Sequence, residues 1–208
     1  ITKNLSNMLD NFETIKQIMR KDLNDLPFTS HFYLIQLIQR NKDGNEHHGV
    51  KASYIIRSVD ELENLEEEIK LLSKFYNARA YITIAPKSMK SLQTSMLIEL
   101  AKDIQQENIR SPKRLITHVA SLLKSNLNRW LIDVDNNDNI TIREQIDIIK
   151  EVLAKINYNG ELIEIPSVNG THLITSDKFN TMQFKELLIA KNVIVDVKKN
   201  DLTILYKF

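Results

Sequence analysis

Two hydrophobic periodicities alternate along the chain. Leu5, Met8, Leu9, Phe12, Ile15, Ile18 and Met19 recur at helical spacing and predict a helix over residues 3–24. HFYLIQLIQR (31–40) is rich in strand-forming residues and stops at the turn-like NKDGNEHHG; KASYIIRS (51–58) reads as its hairpin partner. Ser58 with Glu61 has the spacing of a capping box and opens a helix that runs to about Phe75. ARAYITIAP (78–86) is a strand ending at a proline, and residues 91–107 and 112–127 read as two helices. RWLIDVD (129–135) is a short apolar run carrying two acids. Thr141 and Glu144 form a second capping box before IREQIDIIKEVLAKI. ELIEIPS (161–167) and THLITS (171–176) read as paired strands around the turn VNG, and Asn180 with Gln183 starts a short helix. NVIVDVKK (192–199) and DLTILYKF (201–208) are the last expected strands. Pro27, Pro86, Pro112 and Pro166 fall between the periodic segments, as punctuation should.

This order predicts an α+β fold, built from two packed α/β modules with helices on one face of each sheet. The expected division is an N-terminal helical segment (1–30), a first module with a helical connector (31–128) and a second module (129–208), together one compact core. A length of 208 residues suffices for such a core. Lys and Arg total 28 against 27 for Asp and Glu, a formal charge of +1, which argues against a globally basic nucleic-acid binder and leaves a local basic groove open. The absence of cysteine excludes disulfides, thiolate zinc sites and a cysteine nucleophile. No apolar run is long enough to span a bilayer and the first residues carry no signal-peptide pattern, so a reducing, cytoplasmic setting without membrane contact is expected. The chain begins at Ile1 rather than Met, as a fragment or processed chain would, and strand-like sequence reaches Phe208, so a longer protein is expected to continue beyond it.

Asp133 and Asp135 are the sharpest chemical feature. Residues two apart on a strand share a face, so Ile132 and Val134 should face the core while both carboxylates point outward together. Adjacent carboxylates repel unless a cation lies between them, and hard divalent cations prefer such oxygens. The competing reading is a solvated strand end. A second pattern covers the same residues: Asp133, Asp135, Asn137, Asn139 and Glu144 occupy positions of a calcium-binding EF-hand loop, with Asp138 where glycine is usual and with a helix required through NRWLI. His172, between a turn and a strand, is either a satisfied strand histidine or a donor to an anion at a cleft edge. Asp196, within VIVDV, should either face solvent or meet a cation, because a lone buried charge is costly.

The ordered set WLIDVD, then IPSVNGTHLIT, then VIVDVKKNDLTILY resembles the archaeo-eukaryotic primase (AEP) superfamily, in the manner of phage and mobile-element primase-polymerases. The three motifs of that family correspond here to Asp133 with Asp135, to Gly170-Thr171-His172, and to Asp196, with Asp201 as the alternative third acid. The resemblance spans about residues 31–208. It implies an RRM-like second module and a nucleotidyltransferase of primase or polymerase type that adds nucleotides to a 3′-hydroxyl and releases pyrophosphate. Asp133, Asp135 and Asp196 would be catalytic and would hold two divalent ions, Mg or Mn. His172 would contact the incoming nucleotide. Nucleoside triphosphates, single-stranded template or primer and replication proteins are the implied partners.

Arg79, Lys87, Lys90 and Lys178 are candidate phosphate contacts, with ordinary surface charge as their alternative. Trp130 either stacks on a base or packs at the module junction. His47 and His48 read as surface residues of a hairpin turn, and His31 and His118 have no constellation around them. Three other functions stay open: a catalytically inactive nucleic-acid- or partner-binding member of the same fold, a calcium-binding protein using the 133–144 loop, and a carboxylate two-metal nuclease.

Overall fold

A computed structural model describes residues 8–24, 30–125, 127, 129–137 and 139–208. Residues 3–7 of the first expected helix, Pro27 and Asp138 lie outside them. The described chain begins with β1 (Leu9–Asp10), α1 (Phe12–Asn24), β2 (His31–Gln39), β3 (Gly49–Ile56), α2 (Val59–Phe75), β4 (Arg79–Thr83), β5 (Lys87–Ser88), α3 (Met89–Gln105) and α4 (Pro112–Leu122). It continues with β6 (Trp130–Asp135), α5 (Ile142–Lys155), β7 (Leu162–Pro166), β8 (Gly170–Thr175), α6 (Thr181–Ile189), β9 (Asp196–Lys199) and β10 (Leu202–Lys207). The fold is α+β, with two antiparallel sheets and six α-helices among the described residues.

The first sheet runs β1-β10-β4-β2-β3, with β5 beside β2, and the second runs β7-β8-β6-β9. The expected module 129–208 therefore does not keep its last strand: β10 pairs with β4 and β1 in the first sheet. Leaving β10 aside, residues 130–199 follow the order strand–helix–strand–strand–helix–strand, and the first and third strands of that run lie at the centre of the second sheet. Other boundaries differ from the sequence reading as well. Residues 9–10 form an edge strand instead of helix, the strand expected over 78–86 ends at Thr83, the helix expected over 112–127 ends at Leu122, and 192–195 stay outside β9.

Local chemistry explains most helix starts. The Ser58, Ser88, Ser111, Thr141 and Asn180 side chains each accept a bond from an orphan backbone N–H three residues on. At Thr141 the capping box is complete, whereas Glu61 turns its carboxylate to the N–H of Arg57 instead of Ser58. Pleat alternation then divides the core. On β2, Tyr33, Ile35 and Leu37 join α1 and α2 residues in one buried cluster, while Phe32 and Leu34 pack with Leu92, Leu115 and Val119 of α3 and α4. On β6, Ile132 and Val134 face α5 and α6, as expected.

The modules share one core. Leu131, Ile165 and Ile174 of the second sheet belong to the same buried cluster as α1, β2 and β4. Polar bonds fix the junction. Arg129 Nη1 donates to Asp22 Oδ2 of α1 at 2.6 Å and to the Ile84 carbonyl at 2.9 Å, and Nη2 donates to Asp22 Oδ1. The Tyr33 hydroxyl also donates to Asp22. Asn11 Nδ2 donates to the carbonyls of Pro166 and Ile204, both at 3.0 Å, joining the two sheets at a second point.

Removing one partner of a buried ion pair leaves the other charge uncompensated. Arg129→Ala should therefore lower unfolding free energy by about 3–5 kcal/mol. Denaturant titration will measure it, and a loss below about 1 kcal/mol would mean the pair behaves like an exposed one.

Candidate functional site

Cross-strand register assembles the site. Ile163, Ile174, Leu131 and Lys198 form one row across β7, β8, β6 and β9. The next row on the same face is Ile165, His172, Asp133 and Asp196, and beyond it Asp135 lies opposite Gly170. The face turned toward the first module thus changes from apolar to acidic within a few residues. The three sequence motifs, far apart along the chain, meet in one row.

Gly170 is required by this geometry. A Cβ at that position would lie 1.9 Å from the Val134 carbonyl oxygen and 3.0 Å from Asp135 Cα, so β8 approaches β6 too closely there for a side chain. The Ser167 N–H donates to the Gly170 carbonyl and the Asn136 N–H to the Asn169 carbonyl, both at 2.9 Å, which closes the turn beside Asp135.

His172 is buried and its Nδ1 lies 2.9 Å from the Thr203 hydroxyl, which leaves Nε2 turned to Asp133 Oδ1 at 3.4 Å. Asp133 is half-buried and its carboxyl is held below the ordinary value of 3.8. The His172 bond is the main cause; burial opposes it, and the nearby charges of His172, Lys198 and Lys42 add to it. Asp135 is exposed. Asp196 is the first residue of β9, is mostly exposed, and accepts an ion pair from Lys198 at 3.1 Å. Burial pulls the Lys198 ammonium down, but the Asp196 bond and the fields of Asp196, Asp201 and Asp133 outweigh it and raise its pKa.

A cleft of about 380 Å³ opens over this row. Asp133, Asp135, His172, Lys198 and Asp201 line one side, and Arg40, Lys42, His48, Arg79 and Tyr81 line the other. Asp201 reaches the cleft lining and Asp196 does not, although Asp196 is the register partner of Asp133. The Arg79 guanidinium is buried and held by Asp43 through bonds of 2.7 and 2.6 Å, so its charge is spent on that pair. Arg40 Nη1 donates to the Tyr81 hydroxyl at 2.9 Å.

The other expected phosphate contacts lie elsewhere. Lys87 is buried in a second cavity, Lys90 is exposed on the first turn of α3, and Lys178 is exposed beyond the end of β8 away from Gly170. Trp130 packs against Phe179 at 6.0 Å on the helical side of the second sheet, not in the cleft. The residues that the sequence reading passed over are Arg40, Lys42, His48 and Lys198. For His48 and Lys42 the signal was the polar hairpin turn itself, and for Lys198 it was the two-residue spacing from Asp196.

The EF-hand expectation fails on local structure. Residues 130–135 are strand where a helix is needed, and the Glu144 carboxylate is spent on the Thr141 N–H and hydroxyl at 2.9 and 2.7 Å. Carboxylate oxygens at Asp133 and Asp135 have the donor chemistry of a hard divalent ion. Among the described residues no group of three His, Cys, Asp or Glu is close enough together to hold a metal ion; Asp196 is paired with Lys198. No helix among the described residues is long and apolar enough to cross a membrane.

No protein-family model matches the chain, and neither a curated protein nor a solved structure is found similar to it.

Two measurements probe this geometry. Gly170→Ala should cost about 1–3 kcal/mol or more by forcing β8 from β6, read by thermal or denaturant unfolding. The folded Asp133 pKa lies below its unfolded value, so its stabilising effect is present above about pH 3.8 and is lost as pH falls through the folded value. In a carboxyl NMR titration, His172→Ala should move the Asp133 midpoint upward, and by more than Lys198→Met does. An unmoved midpoint in both variants would show that neither neighbour holds the carboxylate down.

Proposed function

We propose that this chain is a metal-dependent nucleotidyltransferase of the primase–polymerase type, with an RRM-like second module. It would add nucleotides to a nucleic-acid 3′-hydroxyl with release of pyrophosphate. The observation that carries the reading is that Asp133, Asp135 and His172 line a cleft together with Arg40 and Lys42, with Asp196 as the register partner of Asp133. The strand order β7-β8-β6-β9 with two helices on one face supports the RRM-like reading of that module.

Asp133 and Asp135 would hold two divalent ions, Mg or Mn, and Asp196 would join them on leaving Lys198. Bound there, such ions neutralise triphosphate charge and favour attack by a hydroxyl. The chain's own part is positioning. His172, steadied through Nδ1 by Thr203, presents Nε2 toward the cleft and the triphosphate. Arg79, neutralised by Asp43, fixes the cleft wall without adding net charge, and Lys42 and Arg40 face a polyanion from the hairpin between β2 and β3. A single-stranded template or primer is the expected second ligand.

One observation favours an alternative, a catalytically inactive nucleic-acid- or partner-binding chain of the same fold: the ammonium of Lys198 already neutralises part of the acid row.

Calorimetric titration with a nucleoside triphosphate, with and without Mn²⁺, decides between them. The wild type should bind in a metal-dependent manner, and Asp133→Ala/Asp135→Ala should lose at least about ten-fold in affinity, roughly 1.4 kcal/mol, together with all primer synthesis. Equal triphosphate binding in the double variant, with or without metal, would sink the enzymatic reading and leave the inactive one.

A further inference from the structure

A second cavity, of about 500 Å³, lies beside the first. Leu34 and Gln36 of β2 line it, and Ile38, two residues further on the same strand face, lines the cleft. Asp201 and Leu202 line both. The two hollows therefore follow one another along one face of the first sheet.

Lys87 is 5 % exposed and lines the second cavity. Its Nζ donates to the Ala120 carbonyl at 2.8 Å, near the C-terminus of α4, and no carboxylate pairs with it among the described residues. An ammonium has three N–H donors, and a helix C-terminus supplies only a partial negative charge. Buried charges are normally paired, so this one lacks its full counter-charge. Burial alone pulls its pKa down to about 8. Lys124 and Lys199 stand exposed at the rim, the Lys199 ammonium 5.7 Å from the centre of the Trp130 ring, Ser121 adds a hydroxyl, and Asp201 is the one acid in the lining among the described residues.

We propose that this cavity is a phosphate subsite for a nucleic-acid strand that continues out of the acidic cleft, with Lys87 as its buried cation and Lys124 and Lys199 at its rim. The missing counter-charge, the lysine rim and the shared wall at Asp201–Leu202 argue for an anion that bridges both hollows. A phosphodiester chain does so, and a free triphosphate in the cleft would reach the same chemistry only by leaving the acids. The choice of a strand as ligand rests on the nucleotidyltransferase reading; the subsite itself does not.

The test is fluorescence anisotropy of a labelled single-stranded DNA oligonucleotide across a salt series, beside calorimetry of Mn²⁺ with triphosphate, on Lys87→Met and on Lys124→Gln/Lys199→Gln. Lys87→Met should weaken strand binding at least about five-fold and reduce the slope of log affinity against log salt by about 0.7, the contribution of one phosphate contact on single strands. Its thermal midpoint and its triphosphate binding should not fall. Unchanged strand affinity and slope in a folded Lys87→Met would make the lysine a simple anchor for the end of α4 and overturn the proposal. Loss of triphosphate binding with strand binding intact would assign the cavity to free nucleotide and overturn it too. Should Lys87→Met fail to fold, the rim variant decides: unchanged strand affinity there overturns the proposal. Weakened strand binding in Lys87→Met, alongside triphosphate binding that is indifferent to Asp133→Ala/Asp135→Ala, would keep the subsite and reject the catalytic reading.

Discussion

Strand β6 has to satisfy two surroundings at once, and the pleat lets it. Ile132 and Val134 are sealed beneath α5 and α6, while Leu131, Asp133 and Asp135 point toward the first module. A shift of one residue in pairing would bury both carboxylates under the helices and expose the isoleucine and valine, a cost that pins the register. Once β6 is pinned, β8 and β9 bring His172 and Asp196 level with Asp133. Gly170 is part of the same constraint, because only a residue without a side chain lets β8 reach the end of β6 where Asp135 stands.

The second constraint holds the acidic face against the first sheet. Arg129, at the entry to β6, is buried between Asp22 of α1 and the carbonyl after β4. Asn11 bonds β10 and the end of β7, and β10 itself carries the chain back into the first sheet. The final strand thus acts as a strap. Through Thr203 it also reaches His172, so one strand that belongs to the first sheet orients an imidazole of the second. The cleft is consequently walled by elements that cannot separate without breaking buried polar bonds, the rigidity that the proposed function would need.

Much of this was legible from the chain itself. The capping residues at 58, 141 and 180, the split of Ile132 and Val134 from the two acids, and the alternation of strands and helices all follow from local rules. What local rules do not reach is partner choice. β10 has the composition of any half-buried strand, and nothing in DLTILYKF says which sheet it joins. Similarly, Arg40, Lys42 and His48 lie in a polar hairpin turn, and only the packing of two modules turns that hairpin over the acid row. Lys87 and Lys178 show the converse failure: both are candidate phosphate contacts in the sequence, but three-dimensional placement sends one to a neighbouring cavity and the other to the far end of β8. The EF-hand pattern failed for a related reason, since a loop motif means nothing when its first residues belong to a strand.

The near-neutral total charge also hides a local polarity. Many acids are consumed in ion pairs on the helices: Glu13 and Glu66 with Lys16, Glu66 and Asp10 with Lys70, Glu99 and Asp103 with Arg110. Such pairs cancel within a few ångströms and project little field at a distance. Around the two hollows, Arg40, Lys42, Lys87, Lys124 and Lys199 have no carboxylate within ion-pair distance among the described residues, although the Lys199 ammonium lies over the Trp130 ring. A polyanion approaching these hollows meets cations interrupted by acids, the row of Asp133, Asp135 and Asp196 and, on the shared wall, Asp201. Lys198 neutralises the acids in part, and on the proposed function divalent ions would complete the neutralisation that lets an anion pass. Net charge summed over a sequence averages away this arrangement, and it is the arrangement that would let one ligand bind by its phosphates and still depend on metal at one point along its length.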